Sequence, residues 1–393
     1  MDRIRYFDHA ATTAVKEDVV KAMLPYFHEN YGNASSIYSI GRKNKKVIEN
    51  SRQIVAEILG ANSKEIYFTS CGSESDNLAI KGVAYANKSR GNHIITSKIE
   101  HPAVLNTCKR LEKEGFSVTY LNVNRDGFIS LEELENAIND KTILITIMFA
   151  NNEIGSIQPI KCIGKIAKKH NVYFHTDAVQ AVGNVKINVN ELGIDLLSLS
   201  AHKFYGPKGM GALYVKNGIN FDKIQDGGHQ EKNKRAGTEN VAGIVGLAKA
   251  MELAYKDIDS YNQKLMNLRD YYILQIEEKI PYSYLNGSKN NRLPGNANIS
   301  FQFIEGESLL LNLDMKGICA STGSACTSGS LEPSHVLMAI GLPNELAHGS
   351  LRITFGEENT KEDVDFLVEN LKEIVQRLRK MSPLYEDFLR KRE

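Results

Sequence analysis

A lysine stands where lysines are uncommon. Leu196 to Leu199 is a short apolar run that reads as a buried strand, and Ser200, His202 and Lys203 follow it before a loop with three glycines and a proline, Gly206-Pro-Lys-Gly-Met-Gly211. Lys203 therefore falls at the carboxyl end of a core strand. An unpaired ammonium is costly to bury, but an amine that must attack a carbonyl gains from desolvation, which lowers its pKa and frees its lone pair. Schiff-base chemistry is one reading. The other is that the aliphatic stem packs while the head reaches water.

The same sheet edge collects further candidates. Thr142 to Phe149 and Val172 to Asp177 read as strands, and Lys161 to Lys169 reads as the crossover helix between them, so the two strands run parallel. Asn152, Asp177, Gln180 and Lys203 then share one edge, outside the carboxyl ends, where open α/β sheets bind ligands. Taken alone, Asp177 reads equally as a helix cap. Ile66 to Thr69 is a strand, and Ser70-Cys-Gly-Ser-Glu-Ser-Asp-Asn77 opens a helix after it. That turn suits a phosphate at its backbone N–H groups; a capping box of Ser70 or Ser73 with Asp76 explains it as well. His101 follows the strand His93 to Ser97 and is a turn residue, a ligand or a stacking partner.

Two later segments add chemistry. Residues 227–246 read as a charged stretch to Asn240 and then a helix; Arg235 and Thr238 in that stretch could supply a cation and a hydroxyl to a phosphate, or belong to a plain solvated loop. The loop Ser321-Thr-Gly-Ser-Ala-Cys-Thr-Ser-Gly-Ser330 has no bulky neighbour to bury Cys326, which makes that thiol an exposed one that a flexible loop can deliver. Cys319, in the apolar run before it, reads as buried. Arg352, on the last strand, is either a rim arginine or a clamp for a carboxylate.

One motif misleads. Asn122 to Glu133 carries calcium-loop spacing at Asn124, Asp126, Gly127, Ile129 and Glu133. Its first position is Asn, however, and Phe116 to Leu121 alternates like a strand where an entering helix is required, so a turn and the helix Leu131 to Ile138 are expected.

These residues need a large scaffold. The 393 residues suffice for two domains, and 42% hydrophobic with 24% charged residues is the composition of a globular protein. With 48 Lys and Arg against 47 Asp and Glu, the net charge of +1 gives no bulk attraction to nucleic acid. Neither a signal-peptide core nor a membrane-length apolar run is evident, so a cytoplasmic protein without membrane contact is expected. Five cysteines without metal spacing argue against a disulfide framework or a metal site. The short apolar segment Tyr6 to Thr13 reads as an arm packed on something later. From about residue 259 single strands and helices alternate, which suggests a smaller α/β domain.

Ser200-Ala-His-Lys203 with Gly206-Pro-Lys-Gly209, His175-Thr-Asp-Ala-Val-Gln180, Asn151-Asn-Glu-Ile-Gly155, Arg235-Ala-Gly-Thr-Glu-Asn240 and Gly323-Ser-Ala-Cys-Thr-Ser328 together resemble the cysteine desulfurases of the NifS/IscS type, in the class-V aminotransferase superfamily. The likeness runs from Tyr6 to about Phe355. It implies a homodimer of the fold-type I, pyridoxal-phosphate-dependent class, with a mainly parallel central sheet in a large domain (12–258) and a smaller α/β domain (1–11 with 259–393). It implies that L-cysteine becomes L-alanine, with the sulfur passing to acceptors such as an iron–sulfur scaffold or a tRNA-thiolation enzyme. By the same likeness Lys203 holds the cofactor, Asp177 pairs with its pyridine nitrogen and His101 stacks on the ring, with His101 also the candidate base. Asn152 and Gln180 touch the ring oxygen. Gly72, Ser73, Ser200 and His202 hold the phosphate, with Thr238 reaching over from the other subunit. Arg352, with Asn152, binds the substrate, and Cys326 is the nucleophile on a loop of the mobile kind. The chain departs from the pattern at Cys71, where a small residue is common, at Ser73, where threonine is commoner, in an arm lacking a proline near Ala14, and at Tyr38, where histidine is frequent. A selenocysteine lyase or an aminotransferase could use the same lysine and aspartate, though the latter has no need of Cys326. A non-catalytic sulfur-carrier scaffold would have no need of Lys203, Asp177 and His101 together.

Overall fold

Apolar runs of four or five residues, buried on both faces, build the centre of the molecule. The computed structural model describes residues 3–323 and 333–391. In chain order its strands are β1 Arg5–Tyr6, β2 Ile66–Thr69, β3 His93–Ser97, β4 Ser117–Leu121, β5 Thr142–Thr146, β6 Tyr173–Asp177, β7 Leu196–Ser200, β8 Gly211–Val215, β9 Ser283–Leu285, β10 Asn296–Phe301, β11 Ile318–Cys319 and β12 Ser350–Thr354. Seven of them form one sheet in the order β2-β8-β7-β6-β5-β3-β4. Only β8 runs against the rest, pairing antiparallel with both β2 and β7. β3, β5 and β7 are buried along their whole length and β6 from Phe174 onwards, as parallel strands covered by helices on both faces must be.

The helices close over this sheet. Ser39–Leu59 turns Ile48, Val55, Ala56 and Leu59 inward and stops at Gly60, whose φ of 70° closes the last turn on the carbonyls of Ala56 and Glu57. Gly72–Ala86 and Pro102–Lys113 cover the other face through Leu78, Val83, Val104 and Leu111. Ile160–Lys169 is the crossover between β5 and β6, as its apolar stripe requires. The calcium-like segment follows a strand, β4, as a turn and the start of the helix Leu131–Ala137; Glu133 accepts the N–H of Asn122.

A second core lies towards the carboxyl end. β12, β10 and β9 form an antiparallel sheet packed against the helices Ile258–Lys279 and Lys361–Lys380, through Leu265, Tyr272, Phe301, Leu351, Val364 and Leu371. The amino-terminal arm belongs to this core: β1 pairs in parallel with β11, and Phe7 is fully buried against Phe355. Cys319 differs from expectation. It is half-buried rather than enclosed, because β11 is a two-residue strand whose one strand partner among the described residues is the equally short β1 of the arm. Among the described residues no helix is long and apolar enough to cross a membrane.

Candidate active site

The carboxyl ends of the parallel strands converge on one cavity of about 290 Å³. β2 leads into Gly72 and Ser73, β3 into His101, β5 into Asn152, β6 ends at Asp177, and β7 delivers Ser200, His202 and Lys203. Gln180 and Arg352 line it as well. Two predicted residues stand apart. Thr238 lies on the exposed loop before the helix Val241–Lys256, away from the cavity of its own chain, and Cys326 lies outside the described residues.

At one end of the cavity the donors suit a phosphate. Gly72 opens the helix Gly72–Ala86, and a Cβ there would come within 2.6 Å of the Val179 side chain, so glycine keeps this end open. The Ser200 hydroxyl is buried and has no partner among the described residues, which is costly unless a ligand supplies one. His202, whose Nδ1 meets the Thr12 hydroxyl at 3.1 Å, is pushed down to about 4 by burial, with Lys203 and Lys208 adding to the fall, so its ring is neutral. The expected capping box is absent. Ser73 caps nothing: Glu74 reaches back to the Ser70 N–H at 2.7 Å, and Asp76 is turned into the interior.

The middle of the cavity holds the titratable groups. Lys203 Nζ donates to the carbonyls of Ala10 and Ala11 at 2.6 and 2.7 Å, so the arm holds it in place. Asp177 accepts the Val179 N–H at 2.9 Å, and burial pushes its carboxyl above the usual range although His101 and Lys203 pull it down. A cationic ring nitrogen placed beside it would favour the anion. His101 caps the helix Pro102–Lys113, with Nδ1 accepting the Ala103 N–H at 3.1 Å. Burial lowers its pKa, so the ring is neutral and Nε2 carries the proton. These residues fit pyridoxal phosphate: an amine for its aldehyde, a buried acid for its ring nitrogen, and an anion cradle for its phosphate.

At the far end sits Arg352, 1% exposed. Its Nη2 donates to Asp8 at 2.8 Å and its Nη1 to the carbonyls of Asn152 and Gly323 at 3.2 Å, while its buried Nε has no partner among the described residues. A substrate carboxylate would share this fork with Asp8. Glu153 meets two further residues here: the Ser334 hydroxyl donates to it, and a Cβ on Gly323 would come within 2.7 Å of its carboxylate.

The aminotransferase class-V model matches residues 5–367. The chain belongs to the aminotransferase class-V family. Members of this family are pyridoxal-phosphate enzymes, which is the group the cavity fits, and the α/β architecture with its mainly parallel sheet is that of fold type I. Among its relatives, the cysteine desulfurase IscS of Clostridium botulinum is 58% identical over 395 residues, covering all of both chains. A solved NifS-like protein matches with a TM-score of 0.90 at 38% identity, over 96% of this chain and all of its own. A structure described as SspA in complex with cysteine matches with a TM-score of 0.80 at 39% identity, over 89% and 98%.

Some of this class-V site was missed at the sequence level. Ala10 and Ala11 act through carbonyl groups, which every residue has, so nothing in their identity marks them. Asp8 carried a signal, as an acid in the apolar arm Tyr6 to Thr13; Asp76, among polar neighbours, read only as part of a cap, yet it is buried, lines the cavity and lies 3.7 Å from His175.

Proposed function

We propose that this chain is a cysteine desulfurase that uses pyridoxal phosphate to convert L-cysteine to L-alanine, with the sulfur leaving as a persulfide on Cys326. The observation that carries the reading is the meeting of Lys203, Asp177 and His101 in one cavity, in a chain 58% identical from end to end to a protein named cysteine desulfurase IscS. When bound, the cofactor supplies an electron sink for the pair released at the substrate Cα.

The chain supplies the remaining work. Lys203 would hold the cofactor through its aldehyde, and its amine, placed beside the substrate Cα, would take the Cα proton and later return it, since alanine keeps that hydrogen. Asp177 keeps a positive charge on the ring nitrogen. Arg352 orients the substrate carboxylate, and Asn152 and Gln180 border the ring oxygen. Cys326 attacks the substrate sulfur as a thiolate: an S–S bond forms as the Cβ–S bond breaks, the electron pair stays on Cβ, and a proton completes the methyl group of alanine. His101 is the candidate proton carrier, with Nε2 as the atom that gives or takes the proton. Because Nε2 carries the proton in this arrangement, the ring is set to donate from that atom; to accept a proton there from the Cys326 thiol it must first take the other neutral tautomer, with Nδ1 protonated and its bond from the Ala103 N–H given up.

Our reading also divides the chain into a large domain, 12–258, and a small one, 1–11 with 259–393. It makes the protein a cytoplasmic homodimer in which Thr238 reaches the partner's phosphate site, and gives the sulfur to protein acceptors such as an iron–sulfur scaffold. Purified protein incubated with L-cysteine and a reductant is expected to yield alanine and sulfide in equal amounts. Cys326→Ser is expected to keep the cofactor's colour and make neither product; full activity in that variant would remove Cys326 from the mechanism.

A further inference from the structure

The helix Gly72–Ala86 faces an electrostatic conflict. Its N-terminus is the end that must receive the cofactor phosphate, yet Glu74 stands in its first turn and is tied to that end, accepting from both the N–H and the hydroxyl of Ser70. A helix N-terminus favours one anion, but a carboxylate and a phosphate there repel each other.

Arg235 lies on this carboxylate. Its Nε donates to Glu74 Oε1 at 2.7 Å and its Nη2 to Oε2 at 3.3 Å, with both side chains largely covered. The segment that carries Arg235 is pinned to the same structural unit. Glu231 forms a buried two-pronged pair with Arg52, at 2.7 and 2.8 Å, and accepts the N–H of Phe68 in β2, the strand that leads into the helix. Glu231, Lys232 and Asn233 all take left-handed backbone angles, with φ of 44°, 58° and 62°, a costly run for residues other than glycine. Such a turn persists where its surroundings fix it, and here it sets the starting point from which Arg235 reaches Glu74.

We propose that Arg235 is a positioning residue that neutralises Glu74 and so lets the phosphate occupy the same helix end, acting through the carboxylate rather than on the phosphate. This rests on the cofactor reading above. The sequence-level expectation that Arg235 supplies its charge to a phosphate directly is revised accordingly: within this chain the cation serves the acid next door.

The test uses the full-length chain stripped of cofactor and titrated with pyridoxal 5′-phosphate and, separately, with pyridoxal, which lacks the phosphate. For R235Q the dissociation constant for pyridoxal phosphate is expected to rise about tenfold, with that for pyridoxal unchanged. Adding E74Q to R235Q removes the orphaned charge while keeping an acceptor for Ser70, and is expected to bring pyridoxal phosphate binding back to within about twofold of the parent. Recovery in the double variant also shows that R235Q did not fail by misfolding. Equal weakening towards both compounds, no weakening, or no recovery in the double variant would overturn the proposal. Failure of the parent chain to take up pyridoxal phosphate would instead sink the cofactor reading itself.

Discussion

Glu100 shows what burial does to an acid beside the site. It is fully enclosed, and one of its oxygens takes the Ser97 hydroxyl at 2.6 Å and the Met148 N–H at 2.9 Å while the other has no partner among the described residues. Desolvation pushes it up to about 8 from an ordinary 4.5; the two hydrogen bonds resist, and the Asp177 charge adds to the rise. Below the unfolded value both states hold the proton. Between the two values only the folded chain does, so stability is lost as pH rises through this window, by about 1 kcal/mol per pH unit. Glu100→Gln fixes the neutral form. Its denaturant midpoint is expected to match the parent's near the acid end of the window and to exceed it near the alkaline end; parallel curves across the range would show that Glu100 ionises normally. At this scale the sequence revealed residue types, not their states. Lys203, Asp177 and His101 stood out because charge at a strand end is rare. The tautomer of His101 follows from the Ala103 N–H, which every non-proline residue possesses.

Elements were legible where apolarity and pairing coincide. The strands and helices around the site follow from runs of four to five apolar residues and from helical spacing, and the parallel sense of β5 and β6 from the crossover between them. Their ends were less legible. The apolar run from Thr142 predicts a strand to Phe149, yet β5 ends at Thr146, although Ile147 and Phe149 still donate to the carbonyls of His175 and Asp177. Apolarity reports burial, and burial continues past the regular ladder. The capping box failed for a related reason: two acids lie in the opening stretch of one helix, and tertiary packing decides that Glu74 turns back while Asp76 turns inward. The opening of that helix also yields a prediction. In Gly72→Ala the new methyl group must displace Val179, a stiff side chain that borders the cavity, and would sit 3.5 Å from the Ser200 Cβ. Pyridoxal phosphate affinity is expected to fall about tenfold while the melting temperature of the cofactor-free chain changes by only a few degrees. Unchanged affinity by absorbance titration would mean that this turn does not border the bound group.

At the scale of the whole molecule, the amino-terminal arm ties the second core to Lys203. The sequence showed that Tyr6 to Thr13 is too apolar for a free tail, but a pairing across some three hundred positions leaves no local signature, so its partner stayed hidden. Phe7 is the central residue. Its N–H donates to the Cys319 carbonyl and its carbonyl accepts from Thr354, both at 2.8 Å, which bridges β11 to β12. Its ring is fully buried among Phe355 and the other aromatic and aliphatic side chains of the second core. One residue on, Asp8 holds Arg352, and three and four residues on, the carbonyls of Ala10 and Ala11 hold Lys203. Phe7→Ala removes a ring that nothing nearby can replace, at a cost of about 3–5 kcal/mol. Because the arm is continuous, the loss is expected to reach both ends of the cavity. Denaturant unfolding of the cofactor-free chain should show a transition at lower concentration, and limited proteolysis should cut the region after residue 258 sooner than the region before it. The same variant should bind pyridoxal phosphate more weakly, since the carbonyls that place Lys203 lose their anchor. A midpoint within experimental error of the parent's, with the cleavage order unchanged, would mean that the second core closes without the arm and that Lys203 owes its position to β7 alone.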